Sequence, residues 1–443
     1  MTTMNFTEAY NWILSLSNIP RKEYMSDPRS CGWYLDRLQA FLDILDNPEK
    51  KIPHYIHVTG TSGKGSTTSF MHQILHESGV VVGSTYSPHP SKITERWKVG
   101  NRYMTEKEFI SIVEYIKPKL NEYIKHTTYD MISFFELTEA IGLIFFVQNH
   151  VTHAVMEVAC GGRYDSSNVI PHKDIAMITN IGLDHVGIIG NNKSEIAYEK
   201  AGIITKKTAH AITAEKNTRI AHIIEAEARK NHVPYTRIDK PSYSDVQITP
   251  QGTSFVYKNT TYSLGTFGEH QIHNAVLCIE AAHALQMPIS AIVSGLKKAV
   301  QPLRMEIISR DPLTILDGAH NPDKIRSSVS TIRTLIPLYS LKKIHLIIGF
   351  SGDKNIDDML ATLLTLRPHS IAITRNTVNP FRKVADMNMI HSYIRRILPT
   401  CKIEVFLDPK DAYEYTRGIA HPHDCILVTG SIFMAGELRG KLL

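Results

Sequence analysis

A glycine-rich loop at residues 60–67 (GTSGKGST) contains the residue types best suited to phosphate chemistry. Glycines let a backbone approach phosphates closely and adopt positive φ angles where the turn needs them. The lysine supplies a positive charge for terminal phosphates, and a serine or threonine hydroxyl just after it is a suitable Mg²⁺ ligand. The predicted nucleotide-binding residues of this loop are Gly60, Thr61, Gly63, Lys64, Gly65, Ser66 and Thr67.

The elements on either side of the loop favour this interpretation over a glycine-rich turn without a ligand. Residues 54–59 (HYIHVT) are short and β-branched, which predicts a strand, and residues 66–78 return to helical spacing before Gly79. A strand, a glycine loop and a helix together present backbone N–H groups and a helix N-terminus to an anion. The spacing departs from the usual GxxxxGK[ST], because two residues separate Gly60 from Gly63 and Gly65 follows the lysine.

Three further residues are of types that can serve a phosphate site. Glu157 ends a predicted buried strand, 154–158, where an unpaired carboxylate is costly, so a metal ion is its simplest partner and a structural ion pair is the alternative. His185 follows another predicted strand, and its alternative role is that of a hydrogen-bonded loop histidine. Lys200 lies in a predicted helix, 194–204, where the sequence alone favours a solvent-exposed lysine.

A series of motifs follows the loop in a fixed order. The motifs are Ser87-Pro88-His89 with Glu95-Arg96, Phe134-Phe135-Glu136-Leu137-Thr138, residues 157–168 (EVACGGRYDSSN), residues 180–185 (NIGLDH), residues 199–203 (EKAGI), Gly268-Glu269-His270-Gln271 with Asn274, Arg304-Met305-Glu306, residues 316–322 (LDGAHNP) and Thr429-Gly430-Ser431. Together they resemble the folylpolyglutamate synthetase/dihydrofolate synthase family of the Mur ligase superfamily over roughly residues 33–440.

The resemblance implies an ATP-dependent ligase that adds L-glutamate to the carboxylate of a folate or a dihydropteroate. ATP would convert this carboxylate into an acyl phosphate, which the glutamate amine then attacks. Two Mg²⁺ sites are implied, one on Ser66, Ser87 and Glu157 and the second shared between Glu157 and His185. K⁺ is a further candidate cofactor.

The resemblance also implies roles for residues beyond the loop. Lys200 would be carbamylated by CO₂ and help to hold the second magnesium ion, and Asn274 and Arg304 would contact ATP from the far wall of a cleft. Asp317 and His320 would face back across this cleft. The implied catalytic residues are Lys64, His185, Lys200, Asp317 and His320, and Asp317 would also contact the nucleotide. The implied substrate-binding residues are Arg163, Asp165, His320 and Ser431.

The identity of the carboxylate acceptor leaves an alternative open. Ala159, Cys160 and Tyr164 differ from the family pattern around Asp165, and so does the segment 26–32 (SDPRSCG). A family ligase with a non-folate acceptor is therefore the second hypothesis. A catalytically silent nucleotide-binding protein is the third, although all the implied catalytic residues are present.

The order of predicted elements indicates an α/β fold. Buried-type strands alternate with helices, which is typical of a doubly wound, mostly parallel sheet, and residues 243–265 alternate polar and apolar as a small antiparallel excursion does. We expect a P-loop-type N-terminal domain (1–300), a smaller Rossmann-like C-terminal domain (301–443) and an active site in the cleft between them. The predicted strands are 54–59, 154–158, 175–181, 209–213, 313–316, 343–348, 370–374, 403–406 and 425–429, and the predicted helices are 33–47, 66–78, 134–148, 194–204, 220–231 and 270–285.

Composition narrows the class of protein. A chain of 443 residues with 43% hydrophobic and 21% charged residues is typical of a folded soluble protein with more than one domain. The net charge of +6 suits anionic small molecules, and no basic or aromatic array predicts nucleic-acid binding. Five widely spaced cysteines favour reduced thiols, and no stretch predicts a secretion signal or a membrane span. We therefore expect a cytoplasmic protein, and the family resemblance implies a monomer.

Overall fold

The computed structural model describes residues 4–18, 32–238, 243–352, 355–378 and 383–443, so most of the segment 26–32 lies outside the described residues. Within these ranges the chain is an α/β protein with two large, mainly parallel sheets and one small antiparallel sheet. The strands are β1 (His54–Thr59), β2 (Val82–Thr85), β3 (Trp97–Val99), β4 (Arg102–Tyr103), β5 (His153–Glu157), β6 (Lys173–Ile178), β7 (Thr208–Thr213), β8 (Tyr235–Arg237), β9 (Ser244–Thr249), β10 (Gly252–Tyr257), β11 (Thr260–Leu264), β12 (Glu306–Arg310), β13 (Leu313–Leu316), β14 (Lys343–Ile348), β15 (Ser370–Ile373), β16 (Lys402–Val405) and β17 (Asp424–Thr429). The helices are α1 (Phe6–Ser15), α2 (Gly32–Ile44), α3 (Lys64–Glu77), α4 (Glu106–His126), α5 (Phe134–Gln148), α6 (Lys193–Ala201), α7 (Thr218–Lys230), α8 (Glu269–Ala284), α9 (Ile289–Lys298), α10 (Pro322–Leu338), α11 (Ile356–Leu364), α12 (Met387–Ile397), α13 (Pro409–Ile419) and α14 (Ile432–Leu442).

The first sheet has the strand order β4-β3-β2-β5-β1-β6-β7-β8. Strands from β2 to β8 in this order run parallel, and β3 and β4 add an antiparallel edge. Strand β1 is central and is buried at every position except His54, as expected of a parallel strand covered on both faces. The carboxyl ends of β1, β5 and β6 therefore meet at one edge, which is where ligands bind in open α/β sheets.

The second large sheet has the order β12-β13-β17-β14-β15-β16, parallel throughout except for the antiparallel edge strand β12. Its central strands β14 and β17 are almost wholly buried. Strands β9, β10 and β11 form the small antiparallel sheet that the alternation in residues 243–265 predicted.

The chain passes from the first large sheet to the second near residue 300. Helix α9 packs so closely on α3 that a Cβ on Gly295 would lie 2.5 Å from the Cα of Ile74. On the other side of the junction, Arg439 of α14 donates to Glu95 at 3.1 Å and to Glu306 at 2.9 Å. Helix α14 therefore joins the second sheet to a loop of the first.

The structure confirms most of the predicted elements. The bounds of β1, α5, β13 and β14 are those predicted, and the other predicted strands and helices differ by a few residues at their ends. The sequence analysis gave no bounds for the strands β2, β3, β4, β8 and β12 or for the helices α1, α4 and α9 to α14. Strands β3 and β4 are three and two residues long, too short to show a period. Helix α4 does carry readable signals, a Thr105–Glu108 capping box and an amphipathic pattern. Within the described ranges, no helix has the length and apolar character needed to cross a membrane.

Lys173, at the start of β6, generates a stability prediction. Burial lowers the pKa of its ammonium group to about 7, so the folded protein binds fewer protons than the unfolded chain above pH 7. The free energy of unfolding therefore rises with pH from about 7 to about 10. Lys173→Met should increase this free energy most at pH 7, by on the order of 2 kcal/mol, and should raise the apparent Tm accordingly.

Thermal melts of both proteins at pH 7 and pH 9.5 measure this difference. Lys206→Met removes an exposed lysine nearby and should leave the melts unchanged. A lower Tm for Lys173→Met at pH 7 would show that the ammonium group stabilises the fold.

Candidate active site

The glycine loop at residues 60–67 connects β1 to α3 with a backbone that only glycine adopts without strain. Gly60 has φ +144°, and a Cβ there would lie 1.8 Å from Oγ1 of Thr179. Gly63 has φ +88°, and its Cβ would lie 2.3 Å from Oδ1 of Asn274. Both glycines are therefore required by positive φ and by close neighbours.

Hydrogen bonds from the end of β6 fix the position of the loop. The Thr61 N–H donates to the Asn180 carbonyl at 2.8 Å, and the Ser62 N–H donates to Oδ1 of Asn180 at 2.8 Å. The Thr179 hydroxyl donates to the Ser62 carbonyl at 2.6 Å. The loop is thus pre-organised by the strand next to β1.

The loop has the features that an anion needs. Helix α3 begins at Lys64, and its N-cap, Gly63, offers no side-chain cap to the first-turn amides. The Ser62 hydroxyl is buried, lines the cavity and has no hydrogen-bond partner among the described residues. Uncapped amides, a hydroxyl and the Lys64 ammonium group fit a nucleotide phosphate.

Two lysines meet at one carbonyl behind this loop. Lys64 Nζ donates to the Gly60 carbonyl at 3.0 Å, and Lys200 Nζ donates to it at 2.9 Å. Lys200 is 2% exposed, so the solvent-exposed alternative for this residue is wrong. Burial and then the Lys64 charge lower the pKa of Lys200 to about 7. Much of its amine is therefore neutral near neutral pH.

Glu157, at the end of β5, faces the loop from the neighbouring strand. A Cβ on Gly65 would lie 3.3 Å from Oε2 of Glu157, and this oxygen accepts from the Ser87 N–H at 3.2 Å. Burial raises the pKa of Glu157, while the Lys64 charge opposes that rise.

The donor set around Glu157 fits a hard cation. Ser66 and Ser87 line the same cavity, so two hydroxyls and one carboxylate are available, the ligand types that Mg²⁺ prefers. Among the described residues, no three His, Cys, Asp or Glu side chains form a metal cluster by themselves.

His185 lies on the turn after β6, with φ +51°, a conformation that a non-glycine residue rarely adopts. Its N–H donates to Oδ1 of Asp184 at 3.1 Å, and both residues line the cavity. The turn thus places an imidazole and a carboxylate beside the loop.

Arg304 lies between two more residues of positive φ, Leu303 at +59° and Met305 at +52°. Its Nη1 donates to the Leu303 carbonyl at 3.1 Å, which also accepts from the Gly318 N–H at 2.8 Å. Asp317 is buried and accepts hydrogen bonds from the Met305 N–H and the Ser328 hydroxyl. Burial raises the pKa of Asp317, while the Ser328 hydrogen bond and the Arg304 charge oppose that rise.

The tautomer of His320 follows from its partners. Its Nδ1 lies 2.8 Å from the Gly318 carbonyl, which only accepts, so Nδ1 carries a proton. Its Nε2 lies 3.1 Å from Nζ of Lys324 and accepts from it in the neutral ring. His320 therefore holds Lys324 at the cavity wall.

Asp165 and Arg163 have different environments. Asp165 is 4% exposed, lines the cavity and accepts from the Cys160 N–H at 2.8 Å and the Ser167 hydroxyl at 2.5 Å. Burial raises its pKa. Arg163 instead pairs with Glu227 at 3.0 Å and covers the ring of Tyr198, away from the cavity. The geometry gives a substrate-binding role for Arg163 no support.

One cavity of about 1100 Å³ brings most of the predicted site residues together. Gly60, Thr67, Arg163 and Lys200 are outside its lining, and Lys200 donates to the Gly60 carbonyl behind the loop. The predicted residues that line it are Thr61, Gly63, Lys64, Gly65, Ser66, Ser87, Glu157, Asp165, His185, Asn274, Arg304, Asp317, His320 and Ser431.

Sequence reasoning gave no role to several residues that line this cavity or lie near it. Lys324 is a cation in the first turn of α10, where acidic residues are favoured, and that mismatch was a readable signal. The guanidinium of Arg96 lies 5.8 Å from the ring centre of Phe134, and nothing local to either residue shows that they meet. Burial and Asp165 raise the pKa of the neighbouring Glu139 to about 8.

Comparisons with known proteins agree with this geometry. A family model described as the Mur ligase middle domain matches residues 58–282, and one described as the Mur ligase glutamate ligase domain matches residues 303–432. A dihydrofolate synthase/folylpolyglutamate synthase of Bacillus subtilis is 30% identical, over 92% of this chain and 94% of its own. A folylpolyglutamate synthase of Lacticaseibacillus casei is 28% identical over 99% of both chains.

Solved structures show the same relationship. The folylpolyglutamate synthase of Thermotoga maritima superposes with a TM-score of 0.80 at 29% identity, covering 99% of this chain and 96% of its own. The Mycobacterium tuberculosis folylpolyglutamate synthase complexed with ADP has a TM-score of 0.85 at 25% identity, covering 99% of this chain and 98% of its own. The chain therefore belongs to the folylpolyglutamate synthase/dihydrofolate synthase family of the Mur ligases, a family of ATP-dependent ligases.

Proposed function

We propose that this protein uses ATP to activate the carboxylate of a folate or a dihydropteroate and joins it to the amine of L-glutamate. The observation that carries this proposal is the shared cavity. Lys64 and Glu157 line it from the first sheet, and Asp317 and His320 line it from the second. A nucleotide and a second substrate can therefore meet between the two sheets. The ADP complex of the Mycobacterium tuberculosis relative supports ATP as the nucleotide.

The loop and the far wall would bind the phosphates from two sides. Lys64 neutralises charge that gathers on the terminal phosphate as the acyl phosphate forms. Arg304 adds a second positive charge from the junction at residue 303, and Asn274 packs against the loop at Gly63. Asp317 orients this wall through its bonds to Met305 and Ser328.

Magnesium would offset phosphate charge and polarise the phosphoryl group, with Ser66, Ser87 and Glu157 as ligands of one ion. Glu157 and His185 would share a second ion near the acceptor carboxylate. K⁺ is proposed as a further cofactor. The hydroxyl and carboxylate donors around the loop support the first site, and the turn that places His185 in the cavity supports the second.

Lys200 would carry a carbamate that supports the second metal site. Its amine attacks CO₂, a C–N bond forms, and one proton is released. The reaction needs a neutral amine, and burial lowers the pKa of Lys200 to about 7, which supplies one at neutral pH. The hydrogen bond to Gly60 holds this amine behind the phosphate loop.

The acceptor would bind at the part of the cavity lined by Asp165 and the aromatic residues Phe134 and Phe135. A buried carboxylate beside aromatic rings suits a flat heterocycle with N–H donors. His320 and Ser431, on the second sheet's side, are placed for the incoming glutamate. Arg163 has no part in this arrangement.

The domain division follows from the same arrangement. We assign residues 1–300 to the nucleotide-binding domain and 301–443 to the domain that binds the amino acid, and we propose a monomer. A non-folate carboxylate acceptor remains the competing function, and the family matches favour the folate reading over it.

Replacing Lys64 tests the phosphate site. Lys64→Met should lower the rate of ATP-dependent phosphate release roughly 100- to 1,000-fold, because the transition-state charge loses a preorganised cation. Exposed Lys206→Met is the control and should keep the parental rate. Phosphate release by Lys64→Met at the parental rate would contradict the mechanism.

Acceptor identity is tested by labelled glutamate incorporation with tetrahydrofolate and with dihydropteroate. Asp165→Asn should raise the acceptor KM roughly tenfold, as expected for the loss of a charge-assisted hydrogen bond, and leave nucleotide affinity unchanged. Asp411→Asn, at an exposed position, is the control. The folate assignment would be wrong if neither pterin gave an ATP-dependent product.

Carbamylation is tested by NMR of the protein in isotopically labelled bicarbonate. A carbamate signal should be present at pH 8, weaken towards pH 6 as the Lys200 amine becomes protonated, and be absent in Lys200→Ala. Lys193→Ala, exposed on the same helix, should keep the signal. A signal that survives in Lys200→Ala would place the modification elsewhere.

A further inference from the structure

Lys324 is a cavity residue to which the proposed mechanism gives no role. It is the third residue of α10, after Pro322 and Asp323, and it lines the cavity that also holds Lys64 and Arg304. The next basic residue of this helix, Arg326, points away, with a side chain 57% exposed that pairs with Asp323. Lys324 therefore faces the site, while Arg326, two residues later, is exposed to solvent.

The helix dipole makes the position of Lys324 unfavourable for a positive charge. The first turn of a helix carries partial positive charge, so lysine there is disfavoured. The N-cap Asn321 accepts from the Lys324 N–H at 2.9 Å, which keeps the helix end in place. A lysine that opposes the helix dipole and faces a cavity is best explained by an anionic ligand.

The charges around Lys324 point to the same conclusion. Burial, together with the charges of Lys64 and Arg304, lowers the pKa of its ammonium group to about 7. The carboxylates that oppose this shift are Asp184 and Glu157. An anion between the three cations would relieve their repulsion and favour the charged lysine.

His320 sets the direction of the Lys324 side chain. Its neutral ring accepts from Nζ at 3.1 Å through Nε2, because Nδ1 donates to the Gly318 carbonyl. An ammonium group has three N–H donors, so others are available to a ligand while this bond is kept. The Lys324 amine is therefore held in place on the second sheet's side of the cavity.

We propose that Lys324 is a further phosphoryl-binding residue, whose ammonium group, held by His320, contacts the terminal phosphoryl oxygens of ATP from the side of the second sheet. The inference rests on the nucleotide site proposed above. Lys64 and Lys324 then bind the transferred group from the two sides of the cavity.

The test compares two nucleotides that differ in the terminal phosphoryl group. Binding of ADP and of a methylene-bridged ATP analogue, each with Mg²⁺, is measured by calorimetry for Lys324→Met. Affinity for the analogue should fall roughly tenfold, the size expected for a lost charge-assisted hydrogen bond, while affinity for ADP changes less than about twofold. Lys324→Arg keeps the charge and should retain most of the affinity for the analogue.

Controls separate this role from a structural one. Arg326→Met removes a charge from the same helix and should change neither affinity. Lys324→Met should not lower the Tm of the free protein, because it removes a cation that Lys64 and Arg304 repel, but it should reduce the Tm rise that the analogue gives.

Several outcomes would overturn the inference. An equal loss for ADP and the analogue, no loss for either, or a raised KM for glutamate with unchanged nucleotide binding would each do so. If Lys64→Met weakens analogue binding and Lys324→Met does not, the inference fails and the nucleotide site stands. If neither variant weakens binding, the proposed nucleotide site itself is wrong. These nucleotide-binding measurements need no carboxylate acceptor. They therefore test the role of Lys324 even if the glutamate-incorporation assay shows that the acceptor is not a folate.

Discussion

The Gly60 carbonyl, which accepts hydrogen bonds from both Lys64 and Lys200, is the interaction on which the rest of the site depends. Gly60 follows β1, Lys64 is the first residue of α3 and Lys200 lies in α6. Hydrogen bonds to this one carbonyl therefore connect the end of a strand with two helices. Gly60 has φ +144°, and a Cβ at this position would lie 1.8 Å from Oγ1 of Thr179. Substitution at this glycine would therefore disturb the phosphate loop and the buried lysine together.

Burial of charge is the second constraint on this cavity. The surrounding protein lowers the pKa of Lys200 and Lys324 and raises the pKa of Glu157 and Asp317, so each group resists its charged form. Groups of opposite sign lie near one another, since the charges of Lys64 and Lys324 act on Glu157. Phosphates and cations are the ligands that stabilise such an arrangement, because each one compensates the groups of opposite charge.

The two sheets contribute different parts of this chemistry. The first sheet supplies the loop, Glu157 and the turn at His185, all at the carboxyl ends of neighbouring parallel strands. The second supplies His320 and Lys324 from the segment after β13. Arg439 lies between Glu95 and Glu306 and connects α14 with both, so polar contacts hold the cavity walls near each other.

Local patterns determined much of this protein from the sequence alone. The strand and the helix within residues 54–78 could be predicted because each follows a short-range pattern, and the glycine loop between them could be predicted from its residue types. The order of the motifs was sufficient to identify the family. Only the tertiary structure decided which side chains meet. Helix α6 is polar in sequence, yet its packing buries Lys200 at the Gly60 carbonyl, and Arg163 turns to Glu227 although Asp165, two residues later, faces the cavity. The charge of Lys64 acts on Lys324 although more than two hundred residues separate them in the chain. No local pattern predicts this proximity, because burial and charge depend on neighbours that folding brings together.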